Sequence, residues 1–365
     1  MVTKEEFINY LKENLLDYLP DNIRDNSTLK IQEVVKGNDI KLTGIMISEK
    51  DSNISPTLYV DGYISEAQQG MPLEEIAQKI TDSYLRARSE KVNLIDVEKV
   101  TDFDQVKDML VTKIINKDLS SEYLNDVPHK DFGDLAIITQ IRLHAFEGSQ
   151  ASITVRDSML NNWGVSLDDL IDIATKNDIK ISEPRLYPMP DIISTILFGD
   201  NYEQESFLPD KESSSDKMYV FSTEDKVNGA KLLNQPELLE QIAEYLNSSL
   251  IILPSSIHET IIVPDNDSME FDKCELSAMI KEINLSEVNP DEVLADHPIF
   301  YSKDEKMLYF DKDGEKVNML FTSKAPKEKQ REGIRDKLSK AKEKSEATKT
   351  NSRDLPKKNR EMTLS

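Results

Sequence analysis

Residues 251–264 read IILPSSIHETIIVP, and two structures compete for them. As a helix, His258-Glu259 would open the zinc-protease pattern His-Glu-x-x-His, whose second histidine must come four residues after the first to share its helical face. Position 262 is Ile262, so the ligand is missing. As an extended chain, two β-branched runs flank Pro254, Ser255 and Ser256, residues that favour turns. The second reading fits the chemistry of every position. It makes this stretch a buried antiparallel hairpin and places the chain in the α+β class.

The hairpin still carries the most suggestive side chains in the sequence. Ser255 or Ser256 with His258, and Glu259 beside them, form a candidate hydrolase set. Such a set needs a nucleophile, a base and an orienting acid that converge in space. No Gly-x-Ser-x-Gly elbow accompanies it. The turn chemistry is the stronger reading and the hydrolase is the alternative.

Working outward, the same periodicities recur. Thr3 and Glu6 have capping-box spacing, and Phe7, Tyr10, Leu11, Leu15 and Tyr18 follow on one face before Pro20. TLKIQEVV and IKLTGIMIS predict strands joined across the turn KGND. SPTLYVDGYI predicts a third strand, and Pro72 opens a helix through Leu73, Ile76, Ile80 and Tyr84. In TDFDQVKDMLVTKII, the stripe Phe103, Val106, Leu110 and Ile114 predicts a helix. DLAIITQIRLHAFEGSQASITVRDS predicts a hairpin turned at Glu147-Gly148-Ser149. Ser166 caps a helix bearing Leu167, Leu170, Ile171 and Ala174. PRLYPMPD reads as a proline-rich link, DIISTILFG as a short helix and KMYVFS as a strand. Pro236 starts a further helix, another runs near Leu276–Ile283, and MLYFDKDGEKVNMLF predicts a hairpin turned on Asp313-Gly314.

These elements predict two small modules of antiparallel sheet with packed helices. The first covers residues 1–92 and the second 101–323, with a mobile acidic loop near 199–216. Residues 324–365 predict a disordered basic tail, because their apolar residues are few. That tail holds fourteen Lys and Arg against seven Asp and Glu, while the whole chain is at −23. The body before it therefore carries 31 basic and 61 acidic residues, a charge of −30. Such a body repels phosphates and anionic membranes and attracts basic partners. One cysteine, Cys274, leaves no intramolecular disulfide, and MVTKEEFINYLKENLL has no signal-peptide core. A cytoplasmic protein is expected.

Other chemistry finds less support. His129, His144 and His297 lack ligand spacing. The acidic run at Asp265–Asp272 has Glu270 where a calcium loop of the EF-hand type needs glycine. No Gly-rich phosphate cradle occurs. No metal and no cofactor is expected. Trp163, the single tryptophan, is a candidate interaction anchor, although packing against the helix that follows is the commoner use.

The set SNISPTLYVDGY, DVPH, ASITVRDSMLNNWGVSLDDLIDIATKN, MYVFSTEDKVNGA and ILPSSIHETIIVPD resembles domain of unknown function 5688 of low-GC Gram-positive bacteria, over roughly Phe7 to Phe300. The WGVS helix followed by an LPSS-type hairpin also resembles, less closely, domain of unknown function 1444. Neither resemblance supplies an activity or a catalytic residue. Members of the first resemble passenger genes of mobile elements, which implies a context. The expected function is a non-enzymatic interaction or accessory protein of a mobile genetic element. Its acidic body would bind a basic or nucleic-acid-handling protein, or mimic nucleic acid, without binding nucleic acid or membrane itself. A small-ligand module between the sheet and the WGVS helix is a further alternative.

Overall fold

The computed structural model describes residues 2–50, 55, 57–89, 97–143, 151–199, 204–210, 218–265, 273–312 and 315–320. The turns at 147–149 and 313–314, His144, residues 266–272 of the calcium candidate, most of the 199–216 loop, and the tail lie outside them. So does the Cys274 side chain. Met1–Phe321 forms one compact unit. Helices and antiparallel sheets build it, as an α+β protein requires.

The N-terminal layer starts with helix α1 (Lys4–Asn14), whose capping box between Thr3 and Glu6 is complete. Strands β1 (Ser27–Val35), β2 (Lys41–Glu49) and β3 (Thr57–Tyr59) make a three-stranded antiparallel sheet. The predicted third strand is shorter than its sequence pattern. Helix α2 (Asp61–Gln68) begins where it ends, and Asp61 accepts the Thr43 N–H at 2.6 Å. Helix α3 (Leu73–Ser89) closes the layer. Phe7, Leu11, Leu15, Ile45, Ile76, Ile80 and Tyr84 share its core. The β1–β2 turn is held from outside. Asn38 and Asp39 adopt positive φ of 55° and 52°, a conformation that Asn and Asp tolerate best after glycine. Asn38 donates to the carbonyls of Pro290 and Val293, both at 2.8 Å. Asp39 accepts from the amides of Glu122 and Tyr123 at 2.8 and 2.7 Å. Burial works against that charge, but those amides and the Ser121 hydroxyl outweigh it and hold the carboxyl below its ordinary range.

Strand β4 (Leu110–Asn116) corrects a second expectation. Residues 103–114 have helical spacing, yet the helix stops early: Phe103–Val106 form one α-helical turn capped by Asp102, and Lys107–Met109 one 3-10 turn. The β-branched residues Val111, Thr112, Ile114 and Ile115 then take the extended form. Strands β5 (His129–Phe132), β6 (Leu135–Leu143) and β7 (Ala151–Thr154) complete a four-stranded sheet. One edge of β6 pairs with β4. The other pairs with β5 through residues 135–138 and with β7 through residues 140–143. Trp163 ends a helix absent from the sequence reading, α4 (Asp157–Trp163), which stops at Gly164 in the left-handed region. Helix α5 (Leu167–Ile181) follows on its Ser166 cap.

The proline-rich link is in fact strand β8 (Pro184–Pro188), at an edge of a seven-stranded sheet, where missing N–H groups are tolerated. Helix α6 (Met189–Phe198) and strand β9 (Tyr219–Thr223) come next. Helix α7 (Pro236–Leu246) precedes β10 (Ser249–Pro254) and β11 (Thr260–Asp265). Helix α8 (Lys273–Ser286) and strands β12 (Ile299–Ser302), β13 (Met307–Lys312) and β14 (Glu315–Leu320) finish the unit. The order β14-β13-β12-β10-β11-β9-β8 sets the 251–264 hairpin well inside the sheet. Leu250, Ile252 and Ile262 join the main core. Ile251, Leu253 and Val263 pack with Leu276 and Ile280 of α8 on the other face. Burial on both faces explains why these strands read as continuous apolar runs.

Candidate functional site

The polar turn of that hairpin lies between its last strand pair, Pro254 with Thr260. Its shape is set by main-chain bonds to neighbouring segments. The Ile257 N–H donates to the Glu292 carbonyl at 2.9 Å, and the Gly229 N–H to the His258 carbonyl at 2.9 Å. The Ser222 hydroxyl reaches the same carbonyl at 2.8 Å. Gly229 is required here: a Cβ would lie 2.3 Å from that carbonyl oxygen and from the Ser222 hydroxyl.

The imidazole of His258 is spent on this framework. Its Nδ1 accepts the Asn228 N–H at 3.2 Å, which puts the ring proton on Nε2, facing Glu292 Oε1 at 3.3 Å. In that tautomer neither nitrogen has a lone pair left to take a serine proton. Ser256 Oγ accepts the His258 N–H at 3.0 Å, a turn bond and not a nucleophile–base pair. Glu259 contributes its carbonyl to the Ser256 N–H. Ser255 makes no hydrogen bond among the described residues. The structure therefore brings His258 to Glu292, 34 residues away, and does not bring its ring to either serine.

From His258 a polar chain crosses to the four-stranded sheet. The Asn228 amide donates to Gln140 Oε1 at 3.4 Å, and Gln140 and Tyr123 both reach the Thr154 hydroxyl, at 3.3 and 3.0 Å. Arg142 pairs with Asp225 at 2.6 Å alongside. On the same face of that sheet stands Lys113, two residues from the Gln140 partner Val111. It is half-buried and has no hydrogen-bond partner among the described residues. Burial pushes its ammonium down to about 8. Lys36 adds to the effect, while Asp291 and Glu292 oppose it. The sequence does not single out Lys113, Asn228, Gln140 or Glu292 as a site residue. A lone lysine in LVTKIIN would have signalled a buried charge, had the segment been recognised as a strand.

The opposite face of β4 has a finished ion pair. Lys231 Nζ lies 3.3 Å from Asp178 Oδ1, both buried. Asp178 also accepts the Thr112 N–H at 2.9 Å and the Thr112 hydroxyl at 2.6 Å. Burial raises the Asp178 carboxyl to about 6 against the pull of Lys231 and Thr112.

The other candidates have structural surroundings. The Trp163 indole N–H donates to the Val100 carbonyl at 3.1 Å, and its ring tilts against Phe103 at 5.6 Å. Its partners thus precede it in the chain, in the cluster that also takes in Leu170 of α5. His297 Nε2 faces Asp134 at 2.6 Å, and His129 Nδ1 faces the Val127 carbonyl at 2.8 Å. Among the described residues no group of three or more His, Cys, Asp or Glu is placed to hold a metal ion. No described helix is long and apolar enough to cross a membrane.

Comparison with curated proteins finds no match, and comparison with solved structures finds none either. The model of a family of unknown function, DUF5688, matches residues 4–303, close to the span over which the motifs carry the resemblance, and the chain belongs to that family.

Proposed function

We propose that the protein is a non-enzymatic, cytoplasmic interaction protein, an accessory factor of a mobile genetic element whose acidic body engages a basic, nucleic-acid-handling partner. The observation that carries this reading is the charge of −30 on residues 1–323. A field of that size steers cationic partners toward the surface and keeps nucleic acid away. The His258 turn supports it from the other side. The imidazole and carbonyl of His258 and the N–H of Ile257 are engaged in holding three segments together, so the turn is framework to the fold. The test is a pulldown with the full chain as bait, washed across a salt series. A basic protein retained at low salt and released as salt rises is the expected result. Recovery of no basic protein at low salt would refute the reading.

A second reading rests on Lys113. A half-buried amine without a hydrogen-bond partner lowers stability, and such groups concentrate where ligands bind. Under this reading the face bearing Lys113 and Gln140 takes a small polar ligand. A thermal-shift screen of metabolites on the wild type and Lys113→Met tests it. A ligand that stabilises the first and not the second is the result it requires.

A further inference from the structure

Strand β8 exposes a cleft of about 590 Å³ far from the hairpin in sequence. Arg185 and Tyr187 line it. They are two residues apart and so share one face of the strand, while Leu186 between them faces the core. Both are deeply buried, at 5 % and 6 % exposure. Arg185 is committed by most of its donors, to the Gln204 carbonyl at 2.9 Å, to Glu183 at 2.9 Å and to the Pro184 carbonyl at 3.0 Å, and it also pairs with Glu224 at 3.8 Å. Tyr187 is not. The residue lines the cleft, and its hydroxyl has no hydrogen-bond partner among the described residues.

The walls give the cleft its chemistry. Glu183, Glu205 and Glu224 line it against Arg185 and Lys226, so carboxylates outnumber cations. Glu205 is exposed and makes no ion pair among the described residues. Lys226 sits over the Tyr187 ring, 5.5 Å from its centre, so that ring already holds a cation. On the side of α6, Ile192 and Thr195 line the cleft. One turn further, Ile196 and Phe198 are 76 % and 75 % exposed, an apolar rim continuous with that wall.

We propose that this cleft is a docking site for a basic, apolar segment of a partner protein. The segment's cation lies against Glu205, the carboxylate of the cleft that no described cation pairs with, and its apolar side chains cover Ile196 and Phe198. This deepens the reading of an acidic body that engages a basic partner and rests on it.

The experiment uses the full chain and three fluorescein-labelled peptides: one of alternating Lys and Leu, oligolysine, and one of alternating Glu and Leu. Anisotropy should show the Lys-Leu peptide bound at least tenfold more tightly than oligolysine, and the Glu-Leu peptide unbound. Glu205→Lys should weaken the Lys-Leu peptide at least tenfold, and Ile196→Ser with Phe198→Ser should erase its advantage over oligolysine. Both changes are at exposed positions, and Glu205→Gln, which removes the carboxylate without adding a cation, should weaken the Lys-Leu peptide in the same direction. Lys-Leu binding that none of these variants alters would overturn the cleft and leave the acidic-body reading standing. Failure of both cationic peptides to bind at low salt would overturn both. Preferential binding of anionic phospholipid vesicles through Ile196 and Phe198 would also overturn it, in favour of a membrane surface.

Discussion

Neighbouring residues of β4 treat charge in opposite ways. Thr112 faces one side, where its N–H and hydroxyl complete the shell of Asp178, itself paired with Lys231. Lys113 faces the other, where the nearest carboxylates act on it only at a distance. A buried ion whose partners are complete is scaffold: it ties α5, β4 and the Gly229–Asn234 turn together. One whose partners are missing works against the fold, and its retention needs another reason. The same pair of faces decides what each charge should do when it is removed.

The largest effect is expected at the finished pair. Lys231→Met leaves the Asp178 carboxylate buried without its counter-ion and should cost about 3–5 kcal/mol in urea unfolding. The loss should be greater at pH 8 than at pH 5. Burial raises the Asp178 carboxyl, so the folded variant holds a proton there that the unfolded chain has released. Stability then falls as pH rises through that window. Adding Asp178→Asn should return much of what was lost. A single variant as stable as wild type would show that the pair is not scaffold.

Asp39 is an intermediate case, a charge satisfied by backbone amides and a hydroxyl and not by a buried cation. Asp39→Ala should cost about 2–3 kcal/mol, since hydrogen bonds to an ionised group are the strong ones. Its carboxyl is held below the ordinary range, so its contribution is present above the unfolded carboxylate pKa. That contribution fades as pH falls through the folded value. Wild type and variant should therefore converge in acid. A constant gap between their unfolding curves down to the acid limit would assign the effect to packing.

At Lys113 the sign reverses. Lys113→Met should stabilise the protein by about 1–2 kcal/mol at pH 7, allowing for the residue's partial exposure. Its ammonium is depressed to about 8, so between there and 10.5 the unfolded chain binds the proton that the folded one lacks. Wild-type stability gains with pH across that interval, and the advantage of the variant should shrink over the same range. A destabilised variant would mean that Lys113 has a partner and belongs with Asp178.

These charges mark the limit of what the sequence made legible. Capping at Thr3 and Ser166, and the hairpins at KGND and IILPSSIHETIIVP, follow from local rules, and the structure has them in place. Local rules misplace residues 103–114 because a stripe at helical spacing also occurs across a turn followed by a strand buried on both faces. They miss β8 because its prolines are tolerated only at an edge, and edge position is a property of the assembled sheet. The partners of His258 are beyond them altogether. Asn228 and Glu292 lie 30 and 34 residues away on opposite sides of it, and only the sheet order brings them to the same turn.

The smallest effect tests the turn itself. Ser255 and Ser256 are adjacent, chemically identical and equally plausible nucleophiles in the sequence, yet the structure uses one of them. Ser256 Oγ accepts the His258 N–H at 3.0 Å, so Ser256→Ala should cost about 1 kcal/mol, the usual net worth of one such bond. Ser255→Ala should change stability by less than about 0.5 kcal/mol, as a substitution that removes no bond does. Paired chemical denaturation of the two variants measures the difference directly. If Ser255→Ala proves the more costly, the turn is held by contacts other than those that place His258, and the imidazole is freer to meet a hydroxyl than its two engaged nitrogens imply.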